Sequence, residues 1–345
     1  MRLKILKRNK MNKDKVFIIA ELSANHNNDL DLALRTVDSI AETGADAVKV
    51  QTYTADSLAL DVDNEFFGPK KEGLWKGIRP YDLYKEASLP YEWHKAIKER
   101  AEKKGLVFFS SPFDLESVDF LEKLDVPLYK IASFEITDIP LIRYTAEKMK
   151  PIIISTGVAS EDDIRLAVET CRLVGNNDIT LLKCTSQYPA TLEDANLLTI
   201  PDIKQKFDVK VGLSDHTMGD IVAVSSVALG AKVIEKHYTL DRSLGGADSA
   251  FSMEPNEFKS MVDKIRQVEL ALGNITYKIT DKDIYKRRSL FAIKDIESGE
   301  VFSQENVRSL RPGVGLHPKF YNEIIGSISK LTYKKGDPLS EFEIK

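Results

Sequence analysis

One unit recurs along most of the chain: a short run of β-branched and aromatic residues, one or two polar residues, then a stretch with helical periodicity. The runs are VFIIAE (16–21), DAVKVQTY (46–53), LVFFSSPF (106–113), PLYKIAS (127–133), PIIISTG (151–157), ITLLKCT (179–185), VKVGLSD (209–215) and KVIEKHYT (232–239). Helix-periodic segments follow them, such as LDLALRTVDSIAETG after the first and SEDDIRLAVETCRLVG after the fifth, with Gly44 and Gly175 where helices prefer to end. Nearly continuous apolar strands alternating with helices call for a parallel sheet covered on both faces. Eight such units in about 260 residues predict an α/β fold, the closed (β/α)8 TIM barrel. The rival, an open doubly wound sheet, would want a glycine-rich phosphate turn after its first strand, and ELSANHNN is not one.

A barrel of this kind builds its site at the C-terminal ends of its strands. There the chain offers Glu21, Asn25 and His26 after the first strand, Lys49 and Gln51 on the second, Ser110 and Ser111 on the third, and Lys130 and Ser133 on the fourth. Ser155 and Thr156 follow on the fifth, Lys183, Thr185, Ser186 and Tyr188 on the sixth, Ser214, Asp215 and His216 on the seventh, and Glu235, Lys236 and His237 on the eighth. Strand ends meet solvent in any fold, which explains an isolated serine as well as a binding role does. Lysines inside apolar strands are different, because a buried ammonium is costly without an anion beside it. Lys49 and Lys130 therefore read as anion ligands, and the serines around them as hydroxyl donors to a compact phosphate. His216 and His237 are separated by one helix and one strand, so they should share one rim and hold a divalent cation with positions left open. Glu21, at the end of a buried strand, is the natural proton carrier, and a salt bridge to Lys49 is compatible with that role.

A formal net charge of −4 gives no reason to expect nucleic acid or an anionic membrane as partner. No apolar run is long enough to span a bilayer. The basic start MRLKILKRNK lacks the apolar stretch of a signal peptide, so residues 1–14 read as a disordered or artificially added leader. Cys171 and Cys184 fit free buried thiols in a reducing compartment, which points to the cytoplasm. The long connection over 54–80, with EFFGPKKEGLWKGIRP, reads as a lid over the barrel mouth, Trp75 serving either packing or sugar stacking. GGADSAFSMEP forms a second rim loop, in which Asp248 is a candidate hydroxyl or amine ligand. The barrel is expected over 15–274, a linker over 275–285, and a small second domain over 286–345. In that domain GEVFSQENV (299–307) and GDPLSEFEI (336–344) form a weak internal repeat, and Arg311 precedes Pro312 and Gly313 in a rigid turn.

Taken in order, AELSANHN, VKVQ, FSSPFD, YKIAS, STG, LLKCTSQYP, GLSDHT, EKHYT, GGADSAFSMEP and RPGVG resemble the sialic acid synthase family from about residue 15 to the end. That family condenses phosphoenolpyruvate with an amino-sugar aldehyde. The resemblance implies a C-terminal antifreeze-like (SAF) domain and a domain-swapped homodimer. It implies Glu21 as the acid–base residue and His216 and His237 as ligands of a divalent ion, manganese first, with magnesium or cobalt as substitutes. Lys49, Ser111, Lys130, Ser133, Ser155 and Ser214 correspond to the phosphoenolpyruvate pocket, Gln51, Tyr188 and Asp248 to sugar contacts, and Arg311 to a residue reaching the sugar from the partner subunit. Lys183, the Ser186–Gln187 pair and the GGADSAF loop depart from the neuraminate enzymes and, with GLWKG, resemble the pseudaminic acid branch. Its acceptor is a 2,4-diacetamido-2,4,6-trideoxy-altrose. The alternatives are an N-acetylneuraminate or legionaminate synthase, a metal-dependent pyruvate aldolase, and a non-catalytic sugar-binding or polysaccharide-assembly protein.

Overall fold

The computed structural model describes residues 15–344 apart from Leu74, so the expected leader over 1–14 lies outside the described residues. The chain divides into two compact units, the first ending at Gly273 and the second beginning at Asn274. In the first, eight parallel strands close into a barrel in sequence order: β1 (Phe17–Glu21), β2 (Ala47–Thr52), β3 (Val107–Pro112), β4 (Tyr129–Ile131), β5 (Ile152–Ser155), β6 (Ile179–Cys184), β7 (Lys210–Asp215) and β8 (Val233–His237). The TIM barrel expected from the sequence is the fold. Local signals set the helix ends. Asp29 caps the helix Leu30–Glu42 by accepting from the N–H groups of Asp31 and Leu32, and Ser160 and Asp163 form a reciprocal capping box on the helix Glu161–Leu173.

β4 is shorter than the expected 127–133. Pro127 has no N–H to give a sheet ladder, and by Ser133 the chain has entered the 3-10 turn Ser133–Glu135. The connection after β2 also contains a helix, Ala55–Leu58, and ends where Pro80 opens the helix Pro80–Ala87.

Strand parity then sorts the side chains. Ile18, Ala20, Val48, Val50, Ile152 and Ile154 pack outward in the large core shared with the helices. Ile19, Ala47, Phe109, Ile153, Leu182 and Val233 form a separate apolar plug inside the barrel, with Phe17, Val107 and Leu128 against it. Two residues further along each of β1, β2, β3, β5 and β8, the same inward face presents Glu21, Lys49, Ser111, Ser155 and Glu235. The polar basin therefore sits on an apolar floor. Lys183 and Lys236 have the opposite parity. Lys236 Nζ is held by Asp215 Oδ2 and the Thr217 carbonyl, each at 2.6 Å, and so is a structural ion pair behind the sheet.

In the second unit, β9 (Ser289–Ala292) pairs antiparallel with β10 (Val307–Leu310), around a core that includes Leu290, Phe302, Leu316, Tyr333 and Leu339. The internal repeat has a structural counterpart. Gly299 and Gly336 both adopt positive φ, +92° and +99°, while Phe302 and Leu339 are both buried.

Gly212 on β7 is wedged between neighbours: a Cβ there would stand 2.2 Å from the Val233 carbonyl oxygen and 2.7 Å from Leu182 Cδ2. We predict that Gly212→Ala destabilises the barrel by about 1–3 kcal/mol or more through overpacking, read as a lower urea midpoint at unchanged slope.

Candidate active site

The register alone assembles the centre of the basin. Glu21 lies opposite Lys49 on one side and His237 on the other, Gln51 opposite Ser111, and Ser214 opposite Glu235. Lys49 Nζ stands 2.6 Å from Glu21 Oε2 and 3.7 Å from Glu235 Oε1, and donates to Ser111 Oγ at 3.3 Å. Lys130 Nζ stands 3.8 Å from the same Glu235 oxygen and donates to the Ile131 carbonyl at 3.1 Å. All four charged side chains are buried. The salt bridge between Glu21 and Lys49 is thus real, and Glu235 is an anion shared by both lysines. Sequence reasoning placed Glu235 on the eighth strand but gave it no role; its parity with His237 was the available signal.

These neighbours set the proton affinities. Burial drives Glu21 upward, Lys49 pulls it back and Glu235 raises it, leaving its carboxyl at about 7. Burial works the same way on Glu235, but Lys130 and Lys49 outweigh it and hold that carboxyl below its usual range. Burial lowers Lys130 below the usual ammonium value. This four-residue cluster therefore pairs a carboxyl that exchanges a proton near neutrality, Glu21, with two cations that share one fixed anion, Glu235.

The expected serines gather around this cluster. Ser214 Oγ donates to Glu235 Oε1 at 3.3 Å. Ser155 Oγ is buried and has no hydrogen-bond partner among the described residues. Ser133 Oγ accepts from the Gly157 N–H at 3.2 Å. The backbone passes so close here that a Cβ on Gly157 would stand 2.1 Å from Ser186 Oγ and 2.8 Å from Ser133 Oγ. Glu135 was not singled out from sequence. It follows Ser133 in the 3-10 turn, burial pushes it up to about 7, and one of its oxygens is buried without a partner.

His216 and His237 meet with ring centroids 5.2 Å apart. The Thr185 carbonyl lies 2.9 Å from His216 Nδ1. A carbonyl only accepts, so Nδ1 carries a proton, and Nε2 has a lone pair to offer whenever the ring is neutral. Burial, with the charges of His216 and Lys49, keeps His237 well below its usual value and therefore neutral. Its Nδ1 has no hydrogen bond, and Asp248 Oδ2 lies 3.7 Å away. Cys184, beside the His216 ring, raises the proton affinity of His216 despite burial, so a divalent ion at these two imidazoles would have to displace a proton from His216. No group of three or more His, Cys, Asp or Glu side chains among the described residues is placed to hold one, so the remaining positions of such an ion would fall to water or substrate oxygen.

A second set of polar and aromatic side chains adjoins Glu21. Gln51 Nε2 donates to Glu21 Oε1 at 3.2 Å and to Ser23 Oγ at 3.0 Å, and Ser23 Oγ donates to Asp248 Oδ2. The Tyr188 ring packs against His216, 4.5 Å between centroids, and Phe251, 5.1 Å. Trp75 from the long connection lies 6.0 Å from Tyr188 and donates to the Ala247 carbonyl at 3.3 Å, so this segment does reach over the barrel mouth. Arg311 lies in the second unit, exposed on the turn after β10.

We predict that Glu235→Gln, which strips two buried ammoniums of their common anion, costs about 3–5 kcal/mol of stability in denaturant unfolding. Because Glu235 raises Glu21, the same substitution should lower the Glu21 pKa from about 7, measurable by carbonyl NMR of labelled glutamate.

Known proteins resemble this chain over most of its length. The pseudaminic acid synthase of Campylobacter jejuni subsp. jejuni serotype O:23/36 is 49% identical over 334 residues, covering 96% of this chain and 97% of its own. The pseudaminic acid synthase of Helicobacter pylori is 48% identical over 332 residues, covering 95% and 97%. The crystal structure of N-acetylneuraminic acid (sialic acid) synthetase from Leptospira borgpetersenii serovar Hardjo-bovis in complex with citrate is 36% identical, with a TM-score of 0.69 over 78% of this chain and 89% of that one. Residues 287–341 match the SAF domain, and with residues 36–277 matching the NeuB family, the chain belongs to that family.

Proposed function

We propose that the chain condenses phosphoenolpyruvate with a 2,4-diacetamido-2,4,6-trideoxyhexose of the altrose type and water, giving pseudaminic acid and phosphate. The identity of about one half to pseudaminic acid synthases along nearly the whole chain carries this choice of product. The buried cluster of Glu21, Lys49, Lys130 and Glu235 supports the chemistry.

In this reading Lys49 and Lys130 hold the phosphate and carboxylate of phosphoenolpyruvate, helped by Ser111, Ser133, Ser155 and Ser214. Ser155 brings an unsatisfied buried hydroxyl to that task. Gln51, Tyr188 and Asp248 orient the amino sugar so that its aldehyde carbon meets C3 of phosphoenolpyruvate in a near-attack geometry. The new bond forms between these carbons. Water then adds at C2, and the tetrahedral product expels phosphate. Glu21, with its carboxyl at about 7, can take the proton from that water and return it. His216 and His237 would hold a divalent ion, which when bound supplies Lewis acidity toward the aldehyde oxygen. Manganese as that ion, a domain-swapped homodimer with Arg311 contributed across subunits, and a cytoplasmic location belong to the same proposal. Two buried free cysteines and no described helix long and apolar enough to cross a membrane are compatible with it.

The direct test is phosphate release from phosphoenolpyruvate with manganese and a panel of amino sugars, product masses being recorded. The altrose-type diacetamido sugar should give phosphate and pseudaminic acid; consumption of N-acetylmannosamine alone would overturn the assignment. Chelator, or His237→Ala, should abolish turnover. Glu21 acts as base only when ionised, so activity should rise with pH through about 7 as its proton leaves. Glu21→Gln should bind phosphoenolpyruvate nearly as well, turn over roughly 100-fold or more slowly, and lose that limb of the profile. An unchanged rate would remove Glu21 from the role.

A further inference from the structure

The turn after β1, residues 22–29, grips two loops at once. Its odd positions face the segment after β8. Asn25 Nδ2 donates to the Tyr238 carbonyl at 2.9 Å and to Ser252 Oγ at 2.8 Å. Asn27 Nδ2 donates to the Leu244 carbonyl at 3.0 Å. Ser23 Oγ donates to Asp248 Oδ2. The fit is close enough that a Cβ on Gly246 would stand 2.5 Å from Asn27 Oδ1. Its even positions hold the end of the helix Pro80–Ala87: His26 Nε2 donates to the Ala87 carbonyl at 3.2 Å and Asn28 Nδ2 to the Glu86 carbonyl at 3.0 Å.

Within this turn Ser23 stands out. Its φ of +48° is in the left-handed region, as are those of Asn27 (+47°) and Asn28 (+54°). Asparagine tolerates that region and glycine prefers it, but serine has no such excuse. The strain coincides with a use for the hydroxyl, which accepts from Gln51 Nε2 at 3.0 Å and donates to Asp248. Gln51 spends its other amide proton on Glu21 Oε1. A glycine at position 23 would relax the backbone and cut this connection between the floor of the basin and the loop that roofs it.

We propose that Ser23 is a positioning residue for the amino-sugar substrate: its hydroxyl pins the loop 239–252 through Asp248 and at the same time aims the Gln51 amide, while Asn25 latches the two ends of that loop and Asn27 its middle. The substrate clause rests on the function proposed above; the latch itself rests on the contacts alone. The Ser23 hydroxyl bonds to Gln51 and Asp248 and not to the lysines or serines assigned to phosphoenolpyruvate, so its effect should be confined to the sugar side.

Two variants and two readouts test this. Ser23→Gly removes the hydroxyl and the strain; Ser23→Ala removes the hydroxyl and keeps the strain. Hydrogen exchange of amides 244–251 should quicken by about tenfold in both, with β1 and the helix Leu30–Glu42 unchanged. KM for the amino sugar should rise by about tenfold in both, and KM for phosphoenolpyruvate should stay within about twofold. Unchanged exchange over 244–251 in Ser23→Gly overturns the latch whatever the kinetics. Faster exchange with an unchanged amino-sugar KM overturns the positioning role, as does a defect in Ser23→Ala that Ser23→Gly repairs. If the wild-type protein releases phosphate with no amino sugar, the proposed function falls, and with it the substrate role of Ser23, while the exchange measurement still decides the latch.

Discussion

Burying two ammoniums and two carboxylates above an apolar plug is the constraint to which the rest of this structure answers. None of the four is tolerable alone in that place. Lys49 holds Glu21 at 2.6 Å, and Glu235 sits within 4 Å of both lysines, so each cation has an anion and each anion a cation. The arrangement is not symmetric. Glu235 faces both lysines and is held in its ionised form, while Glu21 is left with a carboxyl at about 7. That division separates a fixed counter-ion from a mobile proton, the condition for running proton transfer beside an anionic substrate without dissolving the cluster.

The plug below makes the division possible. Ile19, Ala47, Phe109, Ile153, Leu182 and Val233 fill the barrel interior and close it to water from beneath. Charges resting on such a floor feel one another strongly, and substrate has a single direction of approach, from the rim. What surrounds that approach is built from loops, but loops held by specific contacts. Trp75 reaches the Ala247 carbonyl from one side, and Asn25 and Asn27 hold the same segment from the other. The mouth is thereby tied to β1 itself, the strand that carries Glu21.

Much of this is legible in the sequence. The eight strand–helix units read off the chain are the eight strands of the barrel, because a sheet covered on both faces leaves a continuous apolar signature at every strand. Glu21, Ser155, His216 and His237 lie at strand ends and Lys49 and Lys130 inside strands, as the sequence implies, since polarity that interrupts or closes an apolar run is itself a local signal. The reading faltered where the signal was not local. Lys183 and Lys236 look like Lys49 in sequence, yet they face away from the basin, and only parity against the inner plug distinguishes them. Glu235 and Ser23 passed without a role because each matters through partners far along the chain. β4 was overestimated because β-branched composition continues past the point where Pro127 and the turn at Ser133 end the ladder.

By itself, then, the order of residues determined the barrel, the end of it at which buried charged and polar residues collect, and the types of residue found there, since periodicity and strand-end polarity are properties of short segments. Tertiary structure alone decided which of those residues face one another. Register set Glu21 between Lys49 and His237, closure brought β8 back beside β1, and a strained turn at Ser23 joined Gln51 to Asp248, 197 positions apart in the chain. Proton affinity depends on distance to a neighbouring charge and on exclusion of water, and neither quantity exists until the barrel has closed.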